Sequence, residues 1–216
     1  MDDSINQLRF FRDALSGASP KRYNLNITDA PSWVGWSDAS FEPGPGGILV
    51  SKICWIIRSG NDRPFGVVYE IPATFWELLG PRKTNIIAAE ALAVPLMFRD
   101  AAASVCDRQG LHFIDNLAAL SGFVKGYSTA CDLSTLYLST SCRGATLRTN
   151  IWYEWVPSAS NPADGGSRVG LGCPLAHALG IPLFSGVWRT NWPNFEHFDP
   201  EAWRLWWGPR PFSVID

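Results

Sequence analysis

The chain has 216 residues, 46% of them hydrophobic, and a formal net charge of −2 with a pI near 5.9. That length and apolar content suffice for one domain with a packed core plus an extension, while the near-neutral charge excludes a global basic field able to hold nucleic acid without regard to sequence. No apolar stretch reaches the roughly 18 residues a membrane span needs, and Met1 is followed by Asp2 and Asp3 rather than by a basic and apolar leader, so the sequence predicts a soluble protein with no membrane partner.

In chain order, Ile5, Leu8, Phe11 and Leu15 recur at helical spacing and Ser16 to Lys21 break the pattern, which predicts a leading helix and linker over 1–28. Trp33 to Ser40 reads as a strand, Glu42-Pro43-Gly44-Pro45-Gly46-Gly47 forces a turn, and Ile48 to Arg58 gives a second strand. Asn61-Asp62-Arg63-Pro64 turns the chain into a third strand, Phe65 to Ile71, so the first half predicts an antiparallel meander. The period then changes. Asn85 to Asp107 is Ala-rich and helical, with Pro95 predicting a kink or a split one turn beyond Glu90. Leu111 to Ile114 is a short buried strand, Asn116 to Gly126 and Asp132 to Arg148 are helical, and Asn150 to Pro157 returns to strand. Together these elements predict an α/β fold, a five-stranded mixed sheet of one meander and two parallel strands with helices on both faces.

Five cysteines (Cys54, Cys106, Cys131, Cys142, Cys173) are odd in number, widely spaced and set among apolar residues. They predict reduced core thiols and an intracellular location, cytoplasmic or nuclear. The stretch 173–216 reads as a separate extension that concentrates Trp188, Trp192, Trp203, Trp206 and Trp207, with Asp199-Pro200-Glu201 starting a short helix and Gly208 stopping it. Few basic residues accompany these rings. Packing against the domain or a partner is therefore their expected use, ahead of stacking on bases.

Four carboxylates stand where acid is awkward. Asp38 interrupts an aromatic strand, Glu90 shares a helix face with Val94, Met97 and Ala101, Asp115 ends a hydrophobic strand, and Asp164 follows a strand and an Asn-Pro turn. Taken singly, each is ordinary: a strand-end residue, a solvated position in the first turns of a helix, an N-cap, a cap after a proline turn. If the strand after the long helix pairs in parallel with the first strand, Asp38 and Asp115 fall on neighbouring strands about 4.8 Å apart. Acids so crowded repel one another and take up protons unless a cation compensates them. Mg2+ suits such a site, and two ions about 4 Å apart suit phosphodiester hydrolysis.

The segments Trp36-Ser37-Asp38-Ala39-Ser40 with Gly46-Gly47-Ile48-Leu49, Ala89-Glu90, Ile114-Asp115-Asn116 with Ala118-Ala119-Leu120, Lys125-Gly126-Tyr127-Ser128, and Val156-Pro157-Ser158 through Asn161-Pro162-Ala163-Asp164 to Ser167-Arg168 carry a likeness in their order. The ordered set resembles the ribonuclease H domains of retrotransposon reverse transcriptases over roughly 29–172, and its last motif is the most specific part. The resemblance implies a ribonuclease H-like fold and an endonuclease that hydrolyses the RNA strand of RNA–DNA hybrids. It implies that Asp38 bridges two Mg2+ ions, with Mn2+ as a substitute, that Glu90 and Asp115 hold the substrate-side ion, and that Asp164 holds the ion activating the attacking water. Asn116, Lys125 and Ser128 would contact sugar and phosphate, and a reverse transcriptase domain in the same polyprotein would be the partner. The sequence departs from the family in one respect: no histidine lies between Val156 and Asp164, and of His112, His177 and His197 only His177 is close in sequence. Two alternatives stay open, another nuclease of the same fold acting on DNA and a catalytically inactive domesticated domain that binds without cutting.

Overall fold

The computed structural model describes residues 32–43 and 49–209. The helix and linker expected over 1–28 and the glycine-rich part of the first turn lie outside the described residues. Three long strands, β1 (Ser32–Pro43), β2 (Leu49–Ser59) and β3 (Phe65–Ile71), form the antiparallel meander. β4 (Gln109–Ile114) pairs in parallel with β1, and β5 (Asn150–Trp155) in parallel with β4. A strand of only three residues, β6 (Leu183–Ser185), joins β3 and completes the order β5-β4-β1-β2-β3-β6. So short a run carries no readable alternation, which is why the expected sheet had one strand fewer.

Helices cover both faces. α1 (Ile86–Asp100) lies against β1 and β2, a short α2 (Ala102–Val105) follows, and α3 (Leu117–Lys125) and α4 (Cys131–Thr146) pack beside α1. On the other face, α5 (Asp164–Val169) crosses β1, β2 and β3, followed by α6 (Pro174–Ala178). Alternation along β2 explains the division. Ile53, Trp55 and Ile57 belong to the core under α1, whereas Cys54 and Ile56 point the opposite way, onto Ala163 and Leu183.

α1 departs from its expected shape in two ways. Every residue from Ala88 to Arg99 is buried, so the helix is enclosed on all sides instead of presenting one apolar stripe. It also runs without a break through Pro95 and is interrupted at Ala101, one turn and a half further on. The enclosing packing outweighs the local proline penalty of about 3 kcal/mol, so the split falls where that packing ends. α3 obeys its local signals: Asn116 accepts from Ala118 N and Ala119 N at 3.1 and 3.2 Å, and Gly126 closes the helix at φ 78°.

The tryptophan-rich stretch is built into the main core. α7 (Pro200–Trp207), capped by Asp199 and ended at Gly208, buries Trp203 and Trp206 at 1% exposure each, in one cluster with Phe98 of α1 and Tyr137 of α4. Trp192 lies 4.3 Å from Trp206 between ring centroids, and the Arg99 guanidinium sits 5.1 Å above Trp206. No described helix is long and apolar enough to cross a membrane.

Trp206→Ala is expected to lower stability by about 3–5 kcal/mol, with urea unfolding followed by circular dichroism remaining a single transition. An unchanged midpoint would show that the tail is a detachable appendage.

Candidate metal centre

The parallel pairing of β1 with β4 places Ser37 opposite Ile114, so the next residues stand side by side, Asp38 still within β1 and Asp115 just past the end of β4. Asp164 reaches the same point as the first residue of α5, and one carboxylate oxygen each from Asp38, Asp115 and Asp164 lies within 4.8 Å of the others. Glu90 approaches from α1 on the opposite face, accepting from the backbone N–H of Ala39. The structure thus brings all four acids singled out in the sequence to one end of the sheet.

Burial and mutual repulsion set the electrostatics. Asp38 is 3% exposed, and burial, reinforced by the charges of Asp115 and Asp164, pushes its pKa up from 3.8 to about 7 against the lowering effect of the Ser167 hydroxyl. Glu90 is 4% exposed and its pKa is raised well above the ordinary carboxylate range, first by burial and then by Asp38 and Asp115. Its Oε2 is buried with no hydrogen-bond partner. An orphaned carboxylate oxygen beside three converging carboxylates fits a hard cation, which takes oxygen ligands and removes the repulsion.

The last sequence motif builds much of the scaffold. Asn161, 2% exposed, donates from Nδ2 to Ser37 O at 2.9 Å and accepts from Ala163 N at 3.1 Å, pinning the loop to β1 next to Asp38. Ser167, fully buried, donates its hydroxyl to Asp38 Oδ2, and its carbonyl accepts from Ser40 Oγ at 2.7 Å. These two residues stood in the recognised motif without an assigned role. Their offsets of three residues before and after Asp164 were the signal, since i+3 on a helix puts Ser167 on the same side as Asp164.

α5 can approach this closely because Gly165 and Gly166 have no side chains. A Cβ on Gly166 would collide with Cys54 Sγ, and one on Gly165 would lie 2.5 Å from Cys173 Sγ. On the open side Trp155 donates from Nε1 to Asp115 O at 3.0 Å, and Arg168 donates from Nε to Asp164 Oδ1 at 2.9 Å.

The expected substrate contacts sit on α3 and the turn after it. Asn116 follows Asp115 directly and uses its side-chain oxygen as the α3 cap, Lys125 is exposed at the end of that helix, and Ser128 is folded into the turn before α4, its N–H donating to Ser134 Oγ at 2.8 Å. His112 is not at the centre. It lies fully buried on β4 opposite Gly35 of β1, with Nε2 and Ser37 Oγ 2.9 Å apart, and burial pushes its pKa down to about 3, so it remains a neutral core residue.

No family model matches the sequence, and no curated protein matches it. Among solved structures, the chain is similar to the N-terminal ribonuclease H domain of Rv2228c from Mycobacterium tuberculosis, at 19% identity and a TM-score of 0.50 over 69% of this chain and 99% of that one. LC9 ribonuclease H1, a type 1 enzyme with the type 2 active-site motif, aligns at 12% identity and a TM-score of 0.45 over 72% of this chain and 87% of its own. LC11 ribonuclease H1, solved in complex with an RNA/DNA hybrid, aligns at 12% identity and a TM-score of 0.42 over 60% and 88%. The fold is ribonuclease H-like.

Two outcomes follow from the geometry. Gly166→Ala is expected to destabilise the protein by about 1–3 kcal/mol through overpacking, and adding Cys54→Ala to recover part of that loss in a double-mutant cycle. Because the pKa of Asp38 is higher folded than unfolded, its contribution to stability is intact below pH 3.8 and is lost as pH rises towards about 7. The melting temperature without divalent ions should therefore fall across that window. Asp38→Asn should flatten the fall and Mg2+ should reverse it; a profile indifferent to both would contradict the electrostatic description.

Proposed function

We propose that this protein is a divalent-metal-dependent endonuclease that hydrolyses the RNA strand of RNA–DNA hybrids, acting as the ribonuclease H part of a retroelement polyprotein. The observation that carries this reading is the convergence of Asp38, Asp115 and Asp164 with the partnerless buried oxygen of Glu90. The ribonuclease H-like fold and the ordered motifs agree with it. The four acids would hold two Mg2+ ions, or Mn2+ in their place. Such ions, when bound, supply Lewis-acid activation of water and of the scissile phosphate.

The protein's own groups prepare that chemistry. Ser167 fixes the Asp38 carboxylate by donating to its Oδ2, next to Asp115 and Asp164. Asn161 holds the loop that delivers Asp164, and the cap formed by Asn116 fixes α3 directly after Asp115. A group that reads 2′-hydroxyls across the shallow minor groove would lie on this open side, where we place Asn116, Lys125 and Ser128 as sugar and phosphate contacts. A reverse transcriptase domain in the same polyprotein would supply most of the grip on the hybrid, since a net charge of −2 offers little of its own. We place the protein in an intracellular setting, cytoplasmic or nuclear, on the odd number and wide spacing of its cysteines.

Cleavage of matched RNA–DNA hybrid, duplex DNA and duplex RNA in Mg2+ tests the proposal. The hybrid should be cut on its RNA strand alone. Chelation should stop the reaction, and Asp38→Asn or Asp115→Asn should each slow it by more than about 100-fold, the upper end of what losing an outer-shell group costs, with the fold retained. Preferential cutting of duplex DNA would favour the alternative nuclease, and unchanged turnover in either variant would remove the acids from the mechanism.

A further inference from the structure

Arg168 is hydrogen-bonded to one acid of the cluster, and the reaction above leaves it unused. It lies one turn after Asp164 on α5, its Nε donates to Asp164 Oδ1 at 2.9 Å, and its Nη1 pairs with Glu42 Oε1 on β1 at 3.2 Å. Its side chain is nevertheless 55% exposed. A guanidinium offers donors from three nitrogens in one plane, and Nε and Nη1 are the two engaged by Asp164 and Glu42. Exposed pairs of this kind contribute little stability, and the group is easily surrendered to a stronger acceptor.

Charge competition decides when that happens. Asp164 is one of the three acids whose oxygens lie within 4.8 Å of one another, and a divalent cation shared among them takes up the negative charge that holds Arg168. A phosphodiester brought to the same cations presents two oxygens with the bidentate spacing a guanidinium prefers. Lys52 adds to the field at the C-terminal end of α5, its Nζ 4.0 Å from where a Cβ on Gly170 would stand. The flank of α5 thus carries two cations beside an acidic centre in a chain of net charge −2.

We propose that Arg168 is a substrate-contacting residue: bound by Asp164 and Glu42 in the structure, it exchanges Asp164 for a backbone phosphate of the nucleic acid when divalent cations neutralise the acids. This rests on the nuclease reading, and it extends the binding surface from α3 across the centre to α5. The contact is to phosphate, so it positions the strand and carries no sequence preference.

The test is binding of the full chain to a fluorescently labelled RNA–DNA hybrid across a salt series in Ca2+, a hard oxygen-seeking cation, with the hybrid checked by electrophoresis to be uncut. Arg168→Gln should weaken binding several-fold and reduce the slope of log affinity against log salt by about one unit. Arg168→Lys should keep the slope, because the charge remains, while losing part of the affinity with the bidentate geometry. Calorimetric titration with Mg2+ should show metal affinity kept or raised in Arg168→Gln, because a competing cation is removed; a loss of metal affinity would make Arg168 an orienting partner of Asp164 and overturn the exchange. A slope unchanged in Arg168→Gln, with wild-type binding intact, overturns the role of Arg168 alone and leaves it a counter-ion of Asp164. Absence of salt-dependent hybrid binding by the wild type even at low salt overturns this contact, and the nuclease reading falls with it only if the hybrid is also left uncut in Mg2+.

Discussion

Carboxylates crowded at low dielectric repel one another, and the structure around Asp38 is arranged to withstand that repulsion. Asp38 and Glu90 are both almost fully buried, on opposite faces of one sheet end. Each stands on an element held mainly by apolar packing: Asp38 on β1 in the middle of the sheet and Glu90 on α1, which is enclosed on all sides. An isolated helix or hairpin could not keep ionisable groups in such a place, because local unfolding would relieve the strain for less than the cost of burial. The large apolar core is what lets a destabilising cluster persist.

The same logic accounts for the staples from the loop after β5. Ser167 and Asn161 attach α5 and its approach to β1 by hydrogen bonds to Asp38 and to the Ser37 carbonyl. Neither bond is strong by itself. Their effect is geometric, since they fix two acids that are remote in sequence, Asp38 and Asp164, relative to each other before any ligand arrives, and a pre-arranged first shell costs less to organise on binding.

Much of this was legible in the residues, and the exceptions have physical causes. The meander, the parallel β4 and β5, and the helix start at Asp199 could be read from local signals or the order of elements, as could the approach of Asp38, Glu90 and Asp115. Asp164 joined them only through the family resemblance, and the cap of α3 is Asn116 where Asp115 was the candidate. The location of the break in the long helix could not, because Pro95 acts locally while enclosure by β1, β2, α3 and α4 is a property of the whole fold. Nor could the embedding of Trp203 and Trp206 in the main core, since an aromatic-rich tail looks alike whether it packs inward or awaits a partner. Ser167 was visible as part of a motif, but its hydroxyl acquires meaning only when α5 is laid across β1.

The short strand β6 bears on how the molecule behaves in company. By pairing with β3 from Gly66 to Val68 it covers one border of the sheet, so among the described strands the unpaired amides and carbonyls of β5 form the other, longer border. That border carries Glu154, a charge on an otherwise aromatic run. Fibril-like stacking of copies through strand addition is thereby disfavoured at both margins, one by an edge strand of only three residues and the other by a charge whose repeat along a fibril would be self-repelling.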